Sequence, residues 1–582
     1  MVRSARALAN LREKPWFRGL AAFAAYLVAS VLWFGLPVLP DLGSSVVGAL
    51  GFEQSISIWS LEWWPHAFGE GLNLFNPEVI FAPDGFNLAW ATSIPGPSAL
   101  GAPLTLAFGP VVTFNVWAIL APALSGWTTF LLCHQVTRSF WPSLAGGYVF
   151  AFSSYTLAAT LGHLNLALVA ALPAAAYLFL RHLEGSLGDR GFVLLMAAAL
   201  AFQFLTFTET FATMTMFAVV AVGAAILLFP ERRRELWRSS RATVIAFGVA
   251  ALVLSPYLYY ALGDREAVEP VNIPENFSTD PLNLVVPTVI TEIGGGALTS
   301  ISGDFTGSPS EQYAYVGLPL LLILGLLTIE TRTRRPARLL LAVAGVALIL
   351  SMGPELHLGG QSTDVPLPWW PLAEAPLMEF ALPARVLVYA WIALAVAVAL
   401  WLASPGRAVP RWALAIVVAI SLAPNLGKVE ILGEDRSPWH ADVSTPAFFE
   451  RGDYRRFLGS GETIMVFPYG FGGLGMLWQS ETDMEFAMAG GYISASSPPE
   501  YRCWPIVRFL QYGLPVADPT RELLAFAWAK RVAIAVTPRD APDPLRAPLA
   551  TLGIRPLARG GMNVYRLPGA GGDPRPRPDC PT

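Results

Sequence analysis

The chain has 582 residues, of which 54% are hydrophobic and only 14% charged, with a formal net charge of −4 and a mean hydropathy of +0.50. Soluble domains carry about a quarter charged residues, so a soluble enzyme is excluded and an integral membrane protein is expected. No Lys/Arg cluster falls on the predicted outer side, so no nucleic-acid partner is expected, and Cys133, Cys503 and Cys580 lack metal-ligand spacing.

The N-terminus is basic (Arg3, Arg6, Arg12, Lys14, Arg18) and leads into an apolar run too long for a cleaved signal. Crossing hydrocarbon takes roughly 20 apolar residues. About eleven such runs are predicted, at 17–40, 110–133, 140–157, 165–182, 191–207, 210–229, 242–262, 313–330, 336–352, 383–403 and 410–425, with a short re-entrant piece at 95–109. Positive charge orients them. With the N-terminus inside, the inner loops hold Arg138, Arg181 and Arg190, then Arg232, Arg233, Arg234, Arg238 and Arg241, then Arg332, Arg334, Arg335 and Arg338, and lastly Arg407 and Arg411. The outer loops hold only Arg265, and an odd number of spans places the C-terminal tail outside.

Three outer segments are large. The first, 41–96, has no Lys or Arg but carries Asp41, Glu53, Glu62, Glu70, Glu78 and Asp84. Within it, Ile56, Trp59 and Trp63 recur at helical spacing and Leu61, Trp64 and Phe68 widen the apolar side, which predicts an amphipathic helix lying in the membrane interface. Glu53 opens that helix just beyond the first span, a position that suits chemistry, whereas Glu70 and Glu78 read as solvated. Pro83-Asp84-Gly85 predicts a tight turn that returns Asp84 and Asn87 over the membrane surface. The second segment, 263–312, is acidic and rich in Gly and Pro. The third is the tail. Its strand-like runs (Glu462 to Pro468, Arg531 to Val536, Asn563 to Leu567) alternate with helical patterns (Phe448–Leu458, Arg521–Lys530). The expected organisation is a helical polytopic domain over 1–425, an extracytoplasmic α/β domain over 426–570, and a disordered tail over 571–582. Cys503 and Cys580 share an oxidising compartment and form a candidate disulfide.

This layout resembles the GT-C superfamily of polytopic membrane glycosyltransferases: an acid directly after span one, then interfacial helices, a second large outer loop after span seven, and a soluble outer C-terminal domain. The phrases Ile58-Trp59-Ser60-Leu61-Glu62-Trp63-Trp64-Pro65-His66 and Ala82-Pro83-Asp84-Gly85-Phe86-Asn87-Leu88-Ala89-Trp90-Ala91-Thr92-Ser93 are similar to an uncharacterised bacterial branch of such proteins. The resemblance covers residues 1 to about 425. It implies transfer of a sugar from a polyprenyl-phosphate donor to a glycan, lipid or protein acceptor on the outer face of the cytoplasmic membrane, with inversion. It also implies an acidic base that maps to Glu53. The superfamily usually has Asp there, often as a paired acid; this chain has a lone Glu.

A polyprenyl-phosphate donor calls for a cation at the outer surface. Arg385, the only basic residue between 339 and 406, opens the tenth span and is the candidate, with pairing to Glu379 as the alternative and Arg265 as a helper. Asp84, Glu62, His66 and Asn87 are candidates to orient sugar or acceptor. His163 with Asn165, and Glu209, occupy two outward turns and approach the same cavity; Glu311 and Tyr313 open the eighth span and line it. In the tail, Trp478-Gln479 and Gly490-Gly491-Tyr492 are placed to face the acceptor. A divalent metal is compatible with these acids, although no ligand pattern demands one. The alternatives from other classes are a lipid-linked saccharide flippase, which needs polar residues along the spans, and a non-catalytic envelope-assembly protein.

Overall fold

The computed structural model describes residues 15–49, 51–263, 273–294, 298–331, 334–374, 378–431, 434–493, 497–540, 549–550 and 552–568. Arg265, Cys580 and the 571–582 tail therefore lie outside the described residues. Cys503 is disulfide-bonded.

Each predicted apolar run is largely helical, as hydrocarbon demands of a backbone that must satisfy its own polar groups. The runs at 140–157, 165–182 and 242–262 each break into two helices, the last ending in Ser255–Gly263. The bundle comprises α1 (Pro15–Ser30), α2 (Gly51–Glu70), α3 (Pro95–Phe108), α4 (Pro110–Thr137), α5 (Phe140–Ala151), α6 (Ser154–Gly162), α7 (Leu164–Ala167), α8 (Ala171–Leu183), α9 (Asp189–Thr206), α10 (Thr208–Leu228), α11 (Arg233–Val253), α12 (Gly317–Thr331), α13 (Arg335–Ser351), α14 (Leu387–Ala403) and α15 (Ala408–Ser421). Among the described residues seven helices are long and apolar enough to cross a membrane, or eight if α5 and α6, bent by 43°, form one span. The remaining predicted runs are shorter or broken helices. Helices α12, α13 and α15 stand at predicted positions but have only 15, 17 and 14 residues. The re-entrant piece is helix α3, which ends at Gly109 (φ 86°) and packs on α2 and α4.

α14 is the axis of the bundle. Nearly every residue from Leu387 to Leu402 is buried, and α4, α5, α12 and α13 pack around it. The peripheral helices instead leave Leu227, Leu252 and Ile329 exposed, the surface a lipid-facing helix presents.

Helix α2 departs from the interfacial expectation. Ile58, Trp59, Leu61 and Trp63 are fully buried, and so are Ser55, Ser57 and Ser60 on the other faces. The reason is a cover contributed from far along the chain: α16 (Gly475–Ser480) packs on α2. Trp59 stacks on Trp63 at 5.5 Å between ring centres and donates its indole N–H to Gln479 Oε1 at 2.7 Å.

The C-terminal region contains a four-stranded sheet. With β1 (Ser45–Val46), β2 (Ala441–Asp442), β3 (Thr463–Val466), β4 (Val532–Pro538), β5 (Leu557–Arg559) and β6 (Met562–Arg566), its order is β3-β4-β6-β5. β3 and β4 are parallel, with Ile464 beside Ile534; their crossover includes α17 (Pro519–Ala529). β6 runs antiparallel to both β4 and β5. The three predicted strand runs are β3, β4 and β6. The helix expected over 448–458 is shorter, a turn at Ala447–Glu450 followed by a 3₁₀ turn at Asp453–Arg456.

This region is fastened to the opening loop at several places, including backbone bonds from Phe81 to Gly490 and from Thr92 to Ile493. β1 pairs with β2. Gln479 donates to the carbonyls of Val79 (2.9 Å) and Phe486 (2.6 Å) while accepting from Trp59. Tyr501 donates to the Ala82 carbonyl at 2.7 Å, and Lys530 Nζ lies 2.5 Å from Asp84 Oδ2. One buried hydrophobic cluster consequently runs from Ala22 to Leu567 without a seam.

Gln479→Leu leaves the buried Trp59 N–H and the Phe486 carbonyl without partners, while the Val79 carbonyl keeps the Met488 N–H. An orphaned buried donor costs about 1–3 kcal/mol. The variant is expected to melt several degrees lower in detergent and to gain protease cleavage between the opening loop and the sheet, as read by thermal denaturation and limited proteolysis.

Candidate active site

Five interruptions of helix converge at one end of the bundle, and each supplies a polar side chain. The end of β1 leads into α2, whose first turn carries Glu53. His163 stands between α6 and α7 in a non-helical conformation (φ −120°, ψ 87°). Phe207 breaks α9 from α10, and Glu209 sits in the first turn of α10, where the helix dipole favours an acid. Glu311 and Tyr313 lie at the end of the loop before α12. Arg385 belongs to a 3₁₀ turn, Pro383–Val386, that feeds α14.

Arg385 is the hub. Its Nη1 lies 2.5 Å from Glu209 Oε2, its Nη2 2.5 Å from Glu311 Oε1, and its Nε donates to Glu311 Oε2 at 3.3 Å. Phe207 lies under the guanidinium at 5.7 Å. Glu209 also accepts from the Leu382 backbone N–H at 3.0 Å, and Glu311 accepts from the Tyr313 hydroxyl at 2.7 Å. The pairing with Glu379 offered as the sequence alternative is replaced by this double clamp. Tyr313 is itself held: its carbonyl accepts from Ser154 and Trp391, and its ring packs on Tyr155 at 4.8 Å.

His163 continues the network. Its Nε2 is 3.4 Å from Glu53 Oε2 and 3.8 Å from Glu311 Oε1. Both contacts are longer than a hydrogen bond between such atoms, and Glu53 Oε2 and His163 Nδ1 are buried without a hydrogen-bond partner among the described residues. Burial raises the Glu53 carboxyl above its ordinary range; Glu311 adds to that, and His163 with Arg385 offsets only part of it. Glu311 ends lower than usual: burial pushes it up, but Arg385 and His163 outweigh that. Two acids in one cluster are thus driven apart, one held as a carboxylate and one biased towards its neutral form.

Glu53, His163, Glu209, Glu311, Tyr313 and Arg385 are therefore brought together. The other candidates are not. Asp84 faces Lys530, and Asn87 caps its own 3₁₀ turn through Ala89 N–H and donates to the Tyr260 carbonyl. His66 lies against Trp63, further along α2. Glu62 faces the tail, where burial, Asp483 and Glu481 push it up to about 7. Asn165 is buried in α7. In the tail, Trp478 and Gln479 turn inward, Trp478 donating to the Ser444 carbonyl. Tyr492 lies near enough to Glu53 to feel its charge: burial and then Glu53 push its hydroxyl up to about 12. The aromatic string Phe52, Phe471, Tyr492 (4.9 and 5.4 Å between rings) leads to it from the residue beside Glu53.

Tyr155 and Phe207 were missed by sequence reasoning, because an aromatic in an apolar run carries no distinguishing signal. The Arg385 partners had one. A lone arginine at the head of an apolar span needs buried acids, and Glu209 and Glu311 are the acids at neighbouring span ends. Among the described residues no group of three or more His, Cys, Asp or Glu is arranged to hold a metal ion.

No curated protein matches this sequence. Among solved structures, arabinofuranosyltransferase AftD from Mycobacteria superposes with a TM-score of 0.56 at 14% identity over 94% of this chain. The chain spans only 41% of the length of that structure. The Archaeoglobus fulgidus oligosaccharyltransferase matches with a TM-score of 0.48 at 12% identity (90% of this chain, 70% of that one). ArnT from Cupriavidus metallidurans bound to undecaprenyl phosphate matches with 0.48 at 12% (94% and 97%). The fold is GT-C-like, a multi-pass helical membrane architecture with a strand-containing C-terminal region. A family model matches residues 23–423, the helical bundle with its opening loop, and on that match the chain belongs to the family described as a domain of unknown function, DUF6311.

Proposed function

We propose that the protein is an inverting glycosyltransferase that takes a sugar from a polyprenyl-phosphate donor at the outer face of the bacterial cytoplasmic membrane. The observation that carries this reading is Glu53: a buried carboxylate with an unpartnered oxygen, raised above its usual range, at the edge of a rigid acid–arginine cluster. A general base works best when its pKa lies near the working pH. The fold shared with an arabinofuranosyltransferase supports the same class of reaction.

In the proposed reaction Glu53 takes the proton of an acceptor hydroxyl as that oxygen attacks the anomeric carbon. The bond from that carbon to the phosphate oxygen breaks on the opposite face, and polyprenyl phosphate leaves with the electron pair. Arg385 has five N–H donors, three of them used by Glu209 and Glu311. One N–H on each terminal nitrogen is left for the departing phosphate. The two carboxylates fix the guanidinium plane, so the donors are aimed before substrate arrives. His163 and Tyr313 position Glu53 and Glu311. Asp84, Glu62, His66 and Asn87 lie outside this cluster and serve the opening loop. The arginine-rich helix ends, away from the cluster, support an inward orientation for that face and an outward one for the site and the C-terminal region.

Glu53→Gln is expected to lower sugar transfer by about 10²–10⁴-fold, the usual worth of a general base, in an assay with radiolabelled polyprenyl-phosphate sugar. Its melting temperature is expected not to fall at neutral pH, because a carboxyl raised by burial disfavours the folded state once ionised and glutamine removes that charge. The wild-type rate is expected to decline on the acid side as Glu53 protonates, with the midpoint above the roughly 4.3 of a free glutamate. Wild-type transfer by the glutamine variant, or an acid limb at the free-glutamate value, refutes the assignment.

Arg385→Ala leaves Glu209 and Glu311 buried without their cation. Loss of one partner of a buried ion pair costs about 3–5 kcal/mol. The variant is expected to be strongly destabilised in thermal denaturation, and a triple variant with Arg385→Met, Glu209→Gln and Glu311→Gln is expected to recover most of the stability while remaining inactive.

A further inference from the structure

The opposite end of α14 carries a second charged site that the proposed reaction does not use. A cavity of about 610 Å³ lies between the ends of α12, α14 and α15, with Glu330, Arg334, Arg407 and Arg411 on its polar side and Trp401 and Leu414 on its apolar side. It is separated from Arg385 by the length of α14, roughly 25 Å at about 1.5 Å per residue.

Arg411 builds the floor. It is buried, donates Nη1 to the carbonyls of Trp401 (2.9 Å) and Ser404 (2.6 Å), and pairs Nη2 with Glu330 at 2.5 Å. Its guanidinium rests 5.2 Å over the Trp401 ring. Gly406 permits this: a Cβ at that position would sit 2.7 Å from the Arg411 guanidinium carbon. Glu330, the only acid lining the cavity among the described residues, is thereby occupied. Among the described residues the side chains of Arg334 and Arg407 have no partner.

Two helix starts meet at the same place. Arg334 is the N-cap of α13 and Arg407 the N-cap of α15; neither side chain makes a capping bond, and neither helix has an acid in its first turn. Helix N-termini carry unpaired N–H groups and partial positive charge, so acids or short polar caps are favoured there. Here arginines occupy both N-caps, and Arg335, Arg338 and Arg411 follow within the first turns. Arg334 and Arg407, at two uncapped helix starts beside a glutamate already committed to Arg411, lack an anion among the described residues. The neighbouring lipid-facing surface says what it is attached to: Val409 and Ile329, next to the cavity on α15 and α12, are 82% and 74% exposed.

We propose that this cavity binds a phosphate group, and that its source is the headgroup of an anionic phospholipid whose chains lie along Val409 and Ile329. Helix starts and arginines both recognise phosphate, and Trp401 with Leu414 lines the glycerol side.

Native mass spectrometry of the full chain in detergent, with phosphatidylglycerol or phosphatidylcholine added at matched concentration, tests this. Wild type is expected to retain phosphatidylglycerol in preference to phosphatidylcholine. At about 1 kcal/mol per arginine near the headgroup, each arginine is worth roughly fivefold, so Arg334→Gln with Arg407→Gln is expected to weaken retention about 30-fold. Arg138→Gln removes a charge paired with Glu184, outside the cavity, and is expected to change nothing. Because Arg334 and Arg407 are exposed and unpaired, the double variant is expected to melt like wild type when no lipid is added. Equal retention of the two lipids, or wild-type retention by the double variant, overturns the proposal. Stabilisation of the wild type by millimolar inorganic phosphate to the same melting temperature as phosphatidylglycerol overturns the lipid source and reassigns the cavity to a soluble phosphate.

Discussion

The guanidinium of Arg385, buried at the head of the central helix, sets the terms for everything around it. A charge in that position is tolerated only when paired and hydrogen-bonded, and two carboxylates meet it from different elements. Neither can reach it from the middle of a continuous helix. Glu209 arrives because the chain breaks at Phe207 between α9 and α10, and Glu311 because a long loop dives back before α12. Irregular backbone at this depth survives only where protein covers it. The breaks, the burial and the ion pairs are thus one requirement seen from three sides.

The same clamp explains why Glu53 differs from its neighbours. Glu209 and Glu311 spend the arginine's charge between them, so Glu53 receives only its remainder and the long contact from His163. A carboxylate excluded from a complete ion pair keeps a free oxygen and an elevated affinity for protons. Charge is also segregated along the bundle. Among the described residues, the acids that pair with Arg385 gather at one end of α14 and unpaired arginines at the other, while α14 itself, from Leu387 to Ala403, has no charged residue. A polar path through the membrane, as a flippase needs, has no counterpart along this axis.

Much of this was legible in the sequence, for identifiable reasons. Long apolar runs can only be helices in hydrocarbon, so their positions followed from hydropathy, although not where a run breaks into two helices. The residues of the cluster stood out because His163, Glu209, Glu311 and Arg385 interrupt or flank apolar runs, where polar groups are costly. What hydropathy cannot convey is distance along the chain. Helix α2 reads as interfacial because its aromatic rows have no visible partner nearby; the partner, Gln479 with its helix, comes 420 residues after Trp59. Asp84 likewise reads as a free acid until Lys530 is folded against it, 446 residues on. The Pro83-Asp84-Gly85 turn was expected from its local residues, and Asp84 N–H does bond back to the Phe81 carbonyl at 3.0 Å, but the turn is directed at the sheet.

The influence of Glu53 on Tyr492 links the two ends of the chain. Glu53 is translated early, while Tyr492 and the segment that covers α2 are made more than four hundred residues later. Throughout synthesis the bundle can therefore insert span by span with its acid cluster uncovered on one side. Closure of that side coincides with the arrival of the last fifth of the polypeptide. A nascent or truncated chain holds the acids and the arginine yet lacks Tyr492 and the segment that covers α2.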